Sequence, residues 1–176
     1  MKIPSLIKDG SVWLSVFGLA ILVGATVFQM LVIVPEFNRD IPNGMISFAA
    51  SQVEPRYYWT SPIILGSYLL PFLALFFNWK TPRRKWLLIS TILFFVVVGV
   101  TEFYFIPRLI IMGITNNKPS EDLALLTQTI KEWIFADQLR FWIFIVPSFF
   151  FALKALSIPL STNKSEFSSS SSSNTH

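Results

Sequence analysis

Apolar positions along the chain gather into four long runs separated by polar or basic connections. Ser11 to Pro35 and Tyr58 to Phe77 contain no charged residue, a third run from Trp86 to about Ile106 is charge-free as far as Thr101, and a fourth extends from about Leu139 to Ile158. A helix crossing the hydrocarbon core of a bilayer needs about 20 mostly apolar residues, so the pattern predicts an all-α integral membrane four-helix bundle occupying residues 1–160. The fourth run is the weakest. Its uncharged core, Phe141 to Leu153, spans only if Arg140 and Lys154 carry their charges to opposite interfaces while their stems stay in the apolar layer.

The connections carry their own pattern. In "PSEDLALLTQTIKEW", Ser120 is expected to cap a helix whose first turn holds Glu121 and Asp122, where the helix dipole favours acids, and Leu123, Leu126, Ile130, Trp133 and Ile134 recur at helical spacing. This predicts an amphipathic helix leading into the fourth span. "GMISFAASQ" predicts a short helix in the preceding outer loop, before the aromatic cluster Tyr57, Tyr58 and Trp59, a composition typical of a membrane interface. From Ser157 onward apolar periodicity is lost, and residues 161–176, with serines at 168–173, read as a disordered Ser-rich tail.

Composition agrees with a membrane protein: 53% of residues are hydrophobic and 14% charged, against about 25% charged in soluble domains, and the mean hydropathy is +0.58. The chain has no cysteine, which removes disulfide frameworks, thiol catalysis, iron–sulfur clusters and cysteine zinc sites. His176 is the single histidine, so a haem held by two histidines is excluded as well. No cofactor is expected. The acids are scattered without ligand spacing, which argues against metal catalysis.

Lysine and arginine in the short flanks set the orientation. Lys2 and Lys8 precede the first run, "KTPRRK" (Lys80, Arg83, Arg84, Lys85) joins the second to the third, and Lys154 and Lys164 follow the fourth. Both termini are therefore expected in the cytoplasm, with the two longer, mixed-charge connections outside. The first run is too long, and lacks a small-x-small site in "VIVPEF", to read as a cleaved signal peptide. The basic inner turn and the lack of a transit peptide favour a plasma or bacterial inner membrane. "GATVF" resembles "GVTEF", and "PFLAL" resembles "PSFFFAL", which raises an internal duplication of two parallel hairpins.

Candidate chemistry lies near the outer end of the third run, in "GVTEFYFIPRLIIMG". A helix entering the membrane at Trp86 and rising about 1.5 Å per residue places Glu102 about 24 Å up, in the outer part of a core about 30 Å thick. Two readings stand side by side. Either Glu102 reaches the outer headgroups and water while Arg108 marks the interface, or Glu102 faces the interior and pairs with an outer-side arginine. Arg108 is about 240° around the same helix, so Arg140 is the better partner. Trp133, Asp137 and Arg140 lie at i, i+4 and i+7 and share a face, as a binding site or as a plain surface salt bridge.

"GATVFQMLVIVPEF", "VTEFYFIPRL" followed by "TNN", and "EWIFADQLR" together resemble the anthrone oxygenase-like family of small four-helix membrane proteins, over about residues 10–157. Thr101, Pro107, Trp133 and Arg140 match the family pattern, whereas Arg108 stands near an expected asparagine and Asp137 in place of another. The resemblance implies a four-helix membrane bundle and, for a few members, oxygenation of a polyketide anthrone without metal or flavin.

Cofactor-free oxygenation needs a base to form an electron-rich anion and a cation to hold it. Glu102 or Asp137 is the candidate base, Arg140 the cation, Trp133 the aromatic wall, and Arg108 and Thr101 further substrate contacts. The alternative is a non-catalytic accessory subunit whose charges only fix helix packing. Expected partners are the lipid bilayer, a hydrophobic small molecule and, if the protein is a pore, further copies in a homo-oligomer. Nucleic acid is not a partner, since the basic residues are confined to juxtamembrane turns.

Overall fold

The computed structural model of the chain describes residues 3–51, 62–114 and 118–160, with 37, 51 and 62–67 described by backbone alone. The described residues are helices and turns. Helix α1 (Ser5–Phe28) continues through a π-helical turn, Gln29–Ile33, into α2 (Val34–Asn38), and α3 (Asn43–Ser51) follows. Next come α4 (Pro62–Phe77) and α5 (Arg84–Val100), the latter running through a π turn, Thr101–Phe105, into α6 (Ile106–Ile111). Finally α7 (Leu123–Arg140) passes through a third π turn, Phe141–Ile145, into α8 (Val146–Leu156). Three of these continuous helices, Ser5–Glu36, Arg84–Ile111 and Leu123–Leu156, are long and apolar enough to cross a membrane.

All three π turns have one local cause. The residue immediately before a proline donates its N–H five residues back: Val34 to Gln29 before Pro35, Ile106 to Thr101 before Pro107, and Val146 to Phe141 before Pro147. A proline ring collides with the carbonyl four residues earlier and disfavours α geometry in the residue before it. The wider π turn relieves both, and the helix continues. Pro71, by contrast, sits inside α4 without a π turn, and its carbonyl accepts a hydrogen bond from Thr91 Oγ1 at 3.2 Å. Proline with its π turn thus recurs in three helices.

Helix α1 packs against α4 and α8, and α5 against α4 and α8. The α5–α8 crossing is close because it is made by serines: Ser90 Oγ donates to Ser148 O at 2.7 Å, and Ser148 Oγ to Ser90 O at 2.9 Å. Small residues let helix backbones approach, and here they also satisfy each other's hydroxyls. Three apolar cores result, of which a small one joins Val12, Ala74, Leu87 and Ala155 and two are larger. One gathers Leu19, Leu22, Phe94, Val97, Phe141 and Ile145, while the other, formed by Met45, Phe105, Met112, Leu126, Ile130 and Trp133, lies among α3, α6 and α7.

One expectation is corrected. The cap of α7 is Asp122, whose Oδ1 accepts from Ala124 and Leu125 N–H at 3.0 Å each, while Ser120 instead accepts from Asp122 N–H. A carboxylate two and three residues before these donors outcompetes a hydroxyl two residues further out. The helix expected to lead into the fourth run does so without a break, as the first half of the continuous helix Leu123–Leu156. The expected short helix at "GMISFAASQ" is α3. Tyr57, Tyr58, Trp59, Arg56 and the Ser-rich tail lie outside the described residues.

Candidate functional site

Between the two larger apolar cores lies a layer of polar side chains at the level of the π turns. Asp137 is 1% exposed. Its Oδ2 accepts from Gln29 Nε2 at 2.8 Å, and its Oδ1 accepts from Arg140 Nη2. Arg140 also donates from Nη1 to Thr101 Oγ1 at 2.9 Å, and its guanidinium carbon lies 4.1 Å from the centre of the Phe105 ring. Trp133 stands edge-on to the same ring, with centroids 6.0 Å apart. The layer therefore ties three separate helical runs together.

These groups lie where the α-helices meet the π turns. Gln29 and Thr101 each open a π turn, and Arg140 immediately precedes the third. Thr101 additionally donates its hydroxyl to Val97 O at 2.7 Å, so it accepts from Arg140 while giving its own proton to the backbone. Of the sequence candidates, Thr101, Trp133, Asp137 and Arg140 come together. The Asp137–Arg140 pair is not a surface salt bridge, since the two side chains are 1% and 11% exposed.

Glu102 does not join them. It is exposed, and among the described residues it forms no ion pair, so the expected Glu102–Arg140 bridge is absent. Thr101 takes the inward position and its neighbour on the helix necessarily points elsewhere. Arg108 is held apart from the layer. Its Nη2 pairs with Glu132 Oε2 at 3.1 Å, its Nη1 donates to Tyr104 O at 3.3 Å, and its guanidinium carbon lies 3.6 Å from the centre of the Tyr104 ring.

Sequence reasoning missed Gln29, Phe105 and Tyr68. Gln29 carried a usable signal, as an amide alone in a long apolar run must find a partner in the interior. Tyr68, half-buried and 5.6 Å from Phe94 between ring centres, packs from α4 against the core that holds Phe141, the chain neighbour of Arg140. It thus borders the layer from α4.

Chemically, the arrangement holds a buried cation and neutralises it. Each oxygen of Asp137 accepts one hydrogen bond, from Gln29 on one side and from Arg140 on the other. Arg140 Nε, also buried, has no hydrogen-bond partner among the described residues. No group of three or more acids or histidines able to hold a metal occurs among the described residues. Comparison of the chain with family models, curated proteins and solved structures finds no match.

Proposed function

We propose that the chain is a multi-pass membrane protein, a four-helix bundle with both termini in the cytoplasm, that acts as a non-catalytic membrane component whose buried charges fix the packing of its spans. The observation that carries this reading is the engagement of Asp137 by Gln29 on one oxygen and Arg140 on the other. A carboxylate so occupied is a clasp between helices, poorly placed to take a proton from a substrate. The three long apolar helices support the membrane, with α4 as the fourth span, and the side chains turned outward are of the kind lipid would solvate: Phe17, Phe95, Trp142 and Phe103, the last 87% exposed. Basic residues crowded at one end of the helices support the orientation.

The test replaces the clasp by hydrophobic residues of similar volume. Asp137→Leu strands a buried guanidinium and is expected to cost about 3–5 kcal/mol, whereas Asp137→Leu combined with Arg140→Met should recover most of that loss. Thermal unfolding of the purified protein in detergent reads both. A double variant no more stable than the single ones would sink the clasp.

A second reading has one observation in its favour, the unpartnered Arg140 Nε beside Phe105. On this reading the layer admits a lipophilic phenolic molecule whose oxygen meets Nε, as the resemblance to anthrone oxygenase-like proteins would imply. An aromatic compound extracted from the parent protein, and missing from the double variant that folds, would support it.

A further inference from the structure

We propose that the groove between α1 and α4 at the basic end holds an acyl chain of an anionic phospholipid, with the headgroup bound by Lys8 and Lys80. The groove has a volume of about 240 Å³ and is walled by Ile7, Gly10 and Leu14 from α1 and by Leu70, Leu73 and Phe77 from α4. Its wall is dry for a specific reason. Ser11, the polar residue of this face, turns its hydroxyl away from the groove's surface, donating to Lys8 O at 2.8 Å and accepting from Asn78 Nδ2 at 3.2 Å.

Gly10 keeps the groove open. A Cβ built there meets no atom within 4 Å, so no packing against the protein requires a glycine at this position. Glycine inside a helix is otherwise unfavourable, and what it leaves here is room beside α4. Two spans with such a gap between them present it sideways to lipid, and an acyl chain is the occupant that fits an apolar, laterally open slot.

Charge selects the headgroup. Asn78 Nδ2 donates to Lys8 O at 3.1 Å, which ties the turn carrying Lys8 to the turn that follows Phe77 and carries Lys80. Asp9, the acid nearest this mouth on α1, is occupied by Arg83. Lys8 and Lys80 have no ion-pair partner among the described residues. Arg84 lies 3.9 Å from the centre of the ring of Trp79, the residue before Lys80. Basic positions between helices at a cytoplasmic interface suit anionic headgroups.

The inference rests on the membrane reading above, and the test separates the two. The full chain is extracted in neutral detergent and its unfolding temperature followed with phosphatidylglycerol or phosphatidylcholine. At ten times its Kd, phosphatidylglycerol should raise Tm by about 3 °C, phosphatidylcholine by clearly less. Lys8→Gln with Lys80→Gln should reduce the first shift to the second, and Gly10→Leu, which fills the groove, should diminish both. Equal shifts from the two lipids, or a phosphatidylglycerol shift untouched in the lysine variant, would overturn the proposal even if Gly10→Leu fails to fold. Recovery of the parent chain in the soluble fraction would instead overturn the membrane reading.

Discussion

Two acids lie close to the same depth and differ wholly in consequence. Glu102 is exposed and Asp137 is buried with two partners, so Glu102→Gln should leave stability within about 0.5 kcal/mol of the parent, where Asp137→Leu costs several. Unfolding of both variants under one detergent condition checks this, and a large loss at Glu102 would mean that it has a partner after all. A similar contrast divides the basic turn. Arg83 is a buried tie, pairing with Asp9 and donating from Nε to Ile158 O at 2.6 Å, whereas Arg84 lies over an exposed tryptophan. Arg83→Met is expected to cost about 1.5–3 kcal/mol from its charged hydrogen bonds, and Arg84→Met about 0.5–1 kcal/mol from the lost cation–π contact. Charge counting along the sequence treats these arginines alike, because what distinguishes them is a carbonyl and a carboxylate brought from distant parts of the chain.

At the scale of elements, the runs of apolar residues were legible because hydropathy is summed over many positions, while the π turns were not, because each depends on one proline in a helix strong enough to continue past it. Trp133, Asp137 and Arg140 could be put on one face from spacing alone, and their meeting with Thr101 needed only a neighbouring helix. Gln29 follows Leu22, Ala25 and Thr26 on the buried face of α1 at helical spacing, but its partner Asp137 lies 108 residues away in the chain. Pro107 is expected to act on the polar layer through geometry. Pro107→Ala lets the turn at Thr101–Phe105 close to α, which rotates one side of the helix against the other by about 100°. A double-mutant cycle with Thr101→Val then measures the link: the two changes should couple by about 0.5 kcal/mol or more. Strict additivity would mean that Thr101 keeps its place without the π turn.

The whole molecule poses a question of length. The continuous helices of 32, 28 and 34 residues would measure about 48, 42 and 51 Å at 1.5 Å per residue, against a hydrocarbon core of about 30 Å. Tilt absorbs part of the excess. The remainder must project on one side, and Lys8, Arg83, Arg84, Lys85 and Lys154 at one end leave the opposite end as the projecting one. There the core of Met45, Met112, Leu126 and Ile130, with α3 folded onto α2, forms a cap whose surface carries Gln128, Lys131 and Glu132. Such a cap has to lie in water outside the cell if the basic end is cytoplasmic. The chain has no native cysteine, so single cysteines report the arrangement without background. Asn43→Cys and Glu121→Cys should react with an impermeant thiol reagent on intact cells, and Pro82→Cys and Ser157→Cys only after the membrane is opened. The reverse pattern would invert the protein, and labelling of all four in intact cells would remove it from the bilayer as a spanning bundle, since a sealed membrane cannot leave both ends of the same helices outside.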